Sequence, residues 1–143
     1  MHNFSFTTIL AASLFWSGTA MADEKEADDC LRQKIWAGYD DGWAVRTATT
    51  TSLAQDDHRV YLVTLYAGNE YKFQVCADKH STNVDLVLHD ADGKEIKREH
   101  EKDREPILTF KPTETQTFYV AVYAAEISEN VEASGVALAV TYR

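Results

Sequence analysis

The sequence lacks the short signatures that mark many hydrolases and nucleotide-dependent enzymes: it has no G-x-S-x-G, no H-E-x-x-H, no C-x-x-C and no glycine-rich phosphate loop. Six glycines in 143 residues leave little backbone for an active site built from loops. Internal repeats, proline-rich stretches and low-complexity linkers are also missing. Positive charge is scarce, with 14 Lys and Arg against 23 Asp and Glu, for a net charge of -9. Such a surface is repelled by phosphate backbones and anionic lipid, which excludes nucleic acid and membrane surfaces as expected partners.

No apolar run is long enough to cross a bilayer. Phe4 to Trp16 covers about 13 residues where roughly 20 are needed. This stretch instead ends in Gly18 and the small-residue pattern Ala20-Met21-Ala22, which is how an export signal ends. Residues 1–22 are read as a signal peptide cleaved after Ala22, with its positive end supplied by the α-amino group because no Lys or Arg precedes the apolar run. The mature part, residues 23–143, is one domain's worth of chain, able to bury about two-thirds of its unfolded surface. It holds every Asp, Glu, Lys and Arg, so the whole acidic balance belongs to it. A periplasmic or secreted location follows, with no membrane insertion after processing.

Cysteine is down to two residues, Cys30 and Cys76. In an oxidising compartment they are expected to pair with each other. A catalytic thiol or a metal pair would need clustered His and Cys that the sequence does not supply.

Over Glu24 to Ala37 the spacing predicts a helix: Ala27, Cys30, Leu31 and Ile35 recur at three and four residues, acids come early, and Gly38 is the expected stop. A helix this short is marginal in water and needs an external restraint, for which the disulfide is the obvious choice. After Gly42 the period changes to two, with β-branched and aromatic residues interrupted by turn signals. Eight strands are expected, at Ala44 to Leu53, Arg59 to Leu65, Glu70 to Ala77, Val84 to His89, Lys94 to Arg98, Pro106 to Lys111, Thr117 to Ala124 and Gly135 to Tyr142. In the third, Tyr71, Phe73 and Val75 share one face and Lys72, Gln74 and Cys76 the other, so Cys76 points away from the core toward the outside of a sheet, where the helix can reach it. In the last, Ala137, Ala139 and Thr141 form a small-residue face suited to close packing. Glu95 to Arg104 reads as a solvated edge strand protected by its charges. The expected fold is therefore all-β, a jelly-roll-like antiparallel sandwich of about eight strands with one N-terminal helix.

Three phrases stand in order along the strands: Leu65-Tyr66-Ala67-Gly68-Asn69-Glu70-Tyr71, then Asp85-Leu86-Val87-Leu88-His89-Asp90 up to Gly93, then Thr115-Gln116-Thr117-Phe118-Tyr119-Val120-Ala121-Val122. With them, Val60 to Tyr142 resembles the bacterial pre-peptidase C-terminal domain, a small β-sandwich appended to secreted proteases and other exported enzymes. The family's usual Gly before the late aromatic strand is Gln116 here, and the 121 residues of the mature part are expected to carry no catalytic domain beside the sandwich. The resemblance implies an accessory role, which a free-standing version would exert on a separate partner.

Few residues invite chemistry. Asp90-x-Asp92-Gly93, with Asp85, is a weak calcium candidate, because hard oxygen ligands on a turn suit that ion; an Asp-Gly hairpin turn competes with it, and the twelve-residue loop with its terminal Glu is absent. Asp85 is expected to receive backbone or hydroxyl donors at the strand margin, and Asp90 to cap its turn. His58, His80, His89 and His100 are scattered singly and expected in solvent. Trp36, Tyr39 and Trp43 crowd the junction of helix and sandwich; Trp36 is expected to be buried there, while Tyr39 and Trp43 are candidates for ligand contact if exposed. No cofactor is expected. The functional reading is a non-catalytic exported module contacting a protein or polysaccharide of the cell envelope. Its alternatives are a structural subunit that packs on itself or on an exported enzyme, and a small hydrolase.

Overall fold

The structure, a computed structural model, describes residues 21–143, so most of the segment read as an export signal lies outside the described residues. One helix precedes eight strands: α1 (Glu24–Tyr39), β1 (Ala44–Leu53), β2 (His58–Leu65), β3 (Tyr71–Ala77), β4 (Ser81–His89), β5 (Glu95–Glu99), β6 (Ile107–Phe110), β7 (Gln116–Ile127) and β8 (Ser134–Tyr142). They form two four-stranded sheets, in the orders β1-β8-β3-β6 and β2-β7-β4-β5. All pairings are antiparallel. β1 pairs with β8, β2 with β7, β3 with β6 and β4 with β5, as if one long hairpin closed at the β4–β5 turn had been rolled into two layers. That pairing is the jelly roll, and the expected all-β sandwich with one N-terminal helix is the fold observed.

Period-two alternation puts the core where the strands predicted it. Tyr71, Phe73 and Val75 of β3 face Val84, Leu86 and Leu88 of β4 and Phe118, Val120 and Val122 of β7 in one interior cluster, joined by Leu138 and Val140 of β8. The hydroxyl of Tyr71, buried at the end of this core, accepts from the Tyr66 N–H at 2.8 Å and so ties the Ala67-Gly68-Asn69 turn to the strand that follows it. A buried phenol needs such a partner.

A second, smaller cluster lies on the outside of the first sheet. Ala27 and Leu31 of α1 pack on Cys76, Ala137 and Ala139, with Cys30 and Ile35 at the margin. The alanines let the helix axis come close, and the Cys30–Cys76 disulfide fixes it there, its Cα atoms 6.0 Å apart.

Two expectations about the helix change. It does not stop at Gly38 but runs to Tyr39, and Gly38 is buried within its last turn. The chain reverses instead at Gly42, whose φ of +83° is the conformation that favours glycine, and the Trp43 N–H returns to the Gly38 carbonyl at 3.2 Å. Trp36, expected to be buried, is 72% exposed. Each helical residue turns about 100°, so the face set by Ala27, Leu31 and Ile35 carries Trp36 past the sheet into solvent.

Candidate functional site

At the C-terminal end of α1, the three aromatic residues divide into two roles. Trp43 is only 8% exposed. Two cations stand over its indole, with Lys72 Nζ 4.2 Å and the Arg143 guanidinium 4.4 Å from the ring centroid. Arg143 is held by Glu70, Nε to Oε2 at 3.1 Å, and their backbones exchange hydrogen bonds of 2.9 and 3.0 Å. Burial first, and the neighbouring Arg143 charge second, pull the Lys72 ammonium below its ordinary pKa. Trp43 is thus a plug beneath the helix end. Trp36 and Tyr39 stand outside it, ring centroids 6.2 Å apart edge to face, and both are largely in solvent.

Among the described residues, no helix lies on the outer face of the second sheet. Register places its outward residues in three rows: Leu62, Tyr119 and His89; Val60, Ala121, Val87 and Arg98; His58, Tyr123 and Asp85. Leu62 is 65% and Val60 47% exposed, whereas Ala121 and Val87 at the centre are buried although they point outward. The result is a shallow apolar patch with a small-residue centre between Tyr119 and Tyr123, and with polar groups at its rim. The His58 ring stacks on Tyr123 at 5.1 Å. The sequence contained this patch as Val60-x-Leu62 and Tyr119-x-Ala121-x-Tyr123, the positions alternating with core residues. Apolar residues on both faces of a strand imply that both faces are to be covered.

The residues considered for calcium are not brought together. Asp90 caps the β4–β5 turn, its Oδ1 accepting from the N–H groups of Asp92 at 3.0 Å and Lys94 at 2.9 Å. Asp85 lies five residues earlier on the same strand, about 16 Å away at strand rise, too far to share an ion with it. Nor does Asp85 receive the expected donors: it faces outward opposite Tyr123, and its Oδ1 is buried without a hydrogen-bond partner among the described residues. Among the described residues, one set of Cys, His, Asp or Glu atoms is close enough to hold a metal, namely Cys30, Cys76 and Glu105, and its two sulfurs are already bonded to each other.

A depression of about 450 Å³ lies along the charged β5–β6 segment, over Glu99, His100, Glu101, Asp103 and Glu105. Its carboxylates shape the loop itself. Glu99 Oε1 accepts the Glu101 N–H at 2.8 Å and Asp103 Oδ1 the Glu105 N–H at 2.9 Å. β5 is an edge strand of the second sheet and exposed.

One carboxylate is treated differently from all of these. Asp78, fully buried after β3, accepts from Ser134 Oγ at 2.6 Å, the Gly135 and Asp23 N–H groups at 2.7 Å each and the His80 N–H at 3.0 Å. Burial alone would raise its pKa; the four donors outweigh that and hold it below the ordinary value.

No protein-family model and no curated protein matches the chain. Solved structures do. PliG of Aeromonas hydrophila, a periplasmic lysozyme inhibitor of g-type lysozyme, superposes with a TM-score of 0.52 at 16% identity, over 70% of this chain and 88% of that one. The pre-peptidase C-terminal domain of a collagenase from Bacillus anthracis gives 0.52 at 17% identity, over 67% and 89%. This chain has their sandwich fold. The likeness read from Val60 to Tyr142 to the pre-peptidase C-terminal domain is thus matched in three dimensions.

Proposed function

We propose that the mature chain is an exported, non-catalytic module that binds another protein through the uncovered outer face of its second sheet. The observation that carries this reading is an asymmetry. Both sheets have apolar residues on their outer faces; α1 covers the centre of the first, at Cys76, Ala137 and Ala139, leaving Val45 and Ile107 exposed on its edge strands, while on the second Val60 and Leu62 stand exposed beside the half-buried Tyr119 and Tyr123 with no helix over them among the described residues. Aliphatic side chains around a small centre suit a protein side chain better than a sugar ring, which stacks on flat aromatic surface. The acidic surface favours a neutral or basic partner. A disulfide buried under the helix fits an oxidising compartment. The two similar structures, an inhibitor of an enzyme and an accessory domain of one, support a role exerted on an enzyme.

A pull-down from envelope extract with the chain starting at Asp23 tests this, with a g-type lysozyme as a defined first probe. Leu62→Glu, at an exposed position, is expected to abolish capture while Trp36→Ala retains it. Capture unaffected by Leu62→Glu would refute the proposed face. A dimer by light scattering that Leu62→Glu dissociates would instead make the partner a second copy of the chain, the self-assembling reading.

A further inference from the structure

The Asp78 cluster gathers donors from three separated parts of the chain, and one of them is the backbone nitrogen of Asp23, 2.7 Å from Oδ2. Asp23 is also the N-cap of α1, its side chain accepting the Glu26 N–H at 2.9 Å. Its backbone is pressed on β8: a Cβ added at Gly135 would meet the Asp23 carbonyl carbon and oxygen at 2.6 and 2.5 Å. Met21, two residues earlier, is 81% exposed, so the chain leaves the cluster directly into solvent. Asp23 is the residue that the pattern Ala20-Met21-Ala22 makes the first of the processed protein.

We infer that the Asp23 nitrogen is a maturation site, where cleavage before Asp23 converts a backbone amide into an ammonium that pairs with the buried Asp78 carboxylate and locks α1 onto β8. The step is hydrolysis of the Ala22–Asp23 peptide bond by a signal peptidase: water supplies OH to the Ala22 carbonyl carbon and a proton to the Asp23 nitrogen, which takes up a second proton from solvent. In the precursor, Asp78 holds its negative charge with four uncharged donors. In the processed chain one donor becomes a full positive charge at the same place, and charge-assisted hydrogen bonds are roughly twice as strong as neutral ones. The other acidic groups beside the nitrogen include the Asp23 side chain, committed to the helix cap, and Glu26, whose Oε2 accepts the Lys79 N–H at 3.2 Å, while the neighbouring Lys25 ammonium is paired with Asp29. Neither replaces Asp78 as the partner of the nitrogen.

Three chains test this: one beginning at Asp23, the same chain acetylated at its α-amine, and one retaining Ala22. The first is expected to unfold at least about 4 °C above the other two, and Asp78→Asn to remove the difference. Equal transitions in all three would overturn the inference. Since Asp78→Asn can fail to fold, cyanate modification of the wild-type α-amine gives a second readout. Near pH 8, about its ordinary pKa, the native amine is expected to react at least about tenfold more slowly than the amine of the denatured chain, and equal rates would overturn the inference. The mass of the exported protein must correspond to a start at Asp23; any other start overturns it. None of these readouts depends on a binding partner.

Discussion

Glu105 Oε1 stands 3.1 Å from Cys30 Sγ and 3.7 Å from Cys76 Sγ. A disulfide has no S–H to donate, so this is a contact of a carboxylate with a sulfur pair, and the carboxylate's charge is met instead by Lys34 Nζ at 3.4 Å. Cys76 is wholly buried, which leaves Cys30 as the sulfur a reductant can reach, and any attacking thiolate must approach past a negative charge. Reduction of the native protein by a small thiol is therefore expected to be slow, and Glu105→Gln to speed it severalfold, as followed by thiol titration. An unchanged rate would remove Glu105 from the argument.

The bond itself closes a loop of 46 residues in sequence separation. In the chain-entropy treatment this amounts to about 4 kcal/mol, a large share of a small domain's stability. Replacing Cys30 and Cys76 by Ala is expected to lower the melting temperature by 10 °C or more, roughly, for a chain of this size. Calorimetry of the two proteins checks it.

Asp78 gives a pH dependence with a definite sign. Its carboxyl is held below the ordinary value of 3.8, so its contribution is fully present above that pH and is lost as pH falls through its lower folded value. Asp78→Asn would place amide hydrogens against the Gly135 and Asp23 N–H groups and is expected to cost roughly 2–4 kcal/mol at neutral pH. The two stability curves should draw together in strong acid. Parallel curves down to pH 2, roughly, would mean that another group carries the acid limb.

The tryptophans of the described chain, Trp36 and Trp43, are 72% and 8% exposed. Iodide quenching is expected to resolve one accessible and one protected emitter, and Trp36→Phe to remove the accessible component with little change in melting temperature. Trp43→Ala, which empties a packed site beneath Lys72 and Arg143, is expected to cost about 3 kcal/mol or more.

How far the sequence carried depended on the range of the forces involved. Alternation is local, so it fixes β1 at Ala44–Leu53, as observed, and the faces of β3 and β8, down to Cys76 pointing at the helix. Helical phase is legible too, and it places Trp36 off the face set by Ala27, Leu31 and Ile35, in solvent rather than under the helix. Asp78 left little local mark, since between Ala77 and Lys79 it reads as an ordinary surface charge, and three of its four donors come from Asp23, Ser134 and Gly135, more than fifty residues away in either direction. The open face of the second sheet was written in Val60, Leu62, Tyr119 and Tyr123, but its rows exist only once β2, β7 and β4 are in register.

The position of β8 constrains how this architecture can be reached. It follows the other described strands in sequence, yet it sits inside the first sheet, hydrogen-bonded to β1 on one side and β3 on the other, and it carries the alanines on which α1 rests. Until those last residues are available, β1 and β3 have no common neighbour and the helix has no floor. α1 and β1 must therefore meet β8 before the first sheet is whole and the helix is seated, so that this layer closes only through contacts between segments far apart in sequence, the kind that form late in folding.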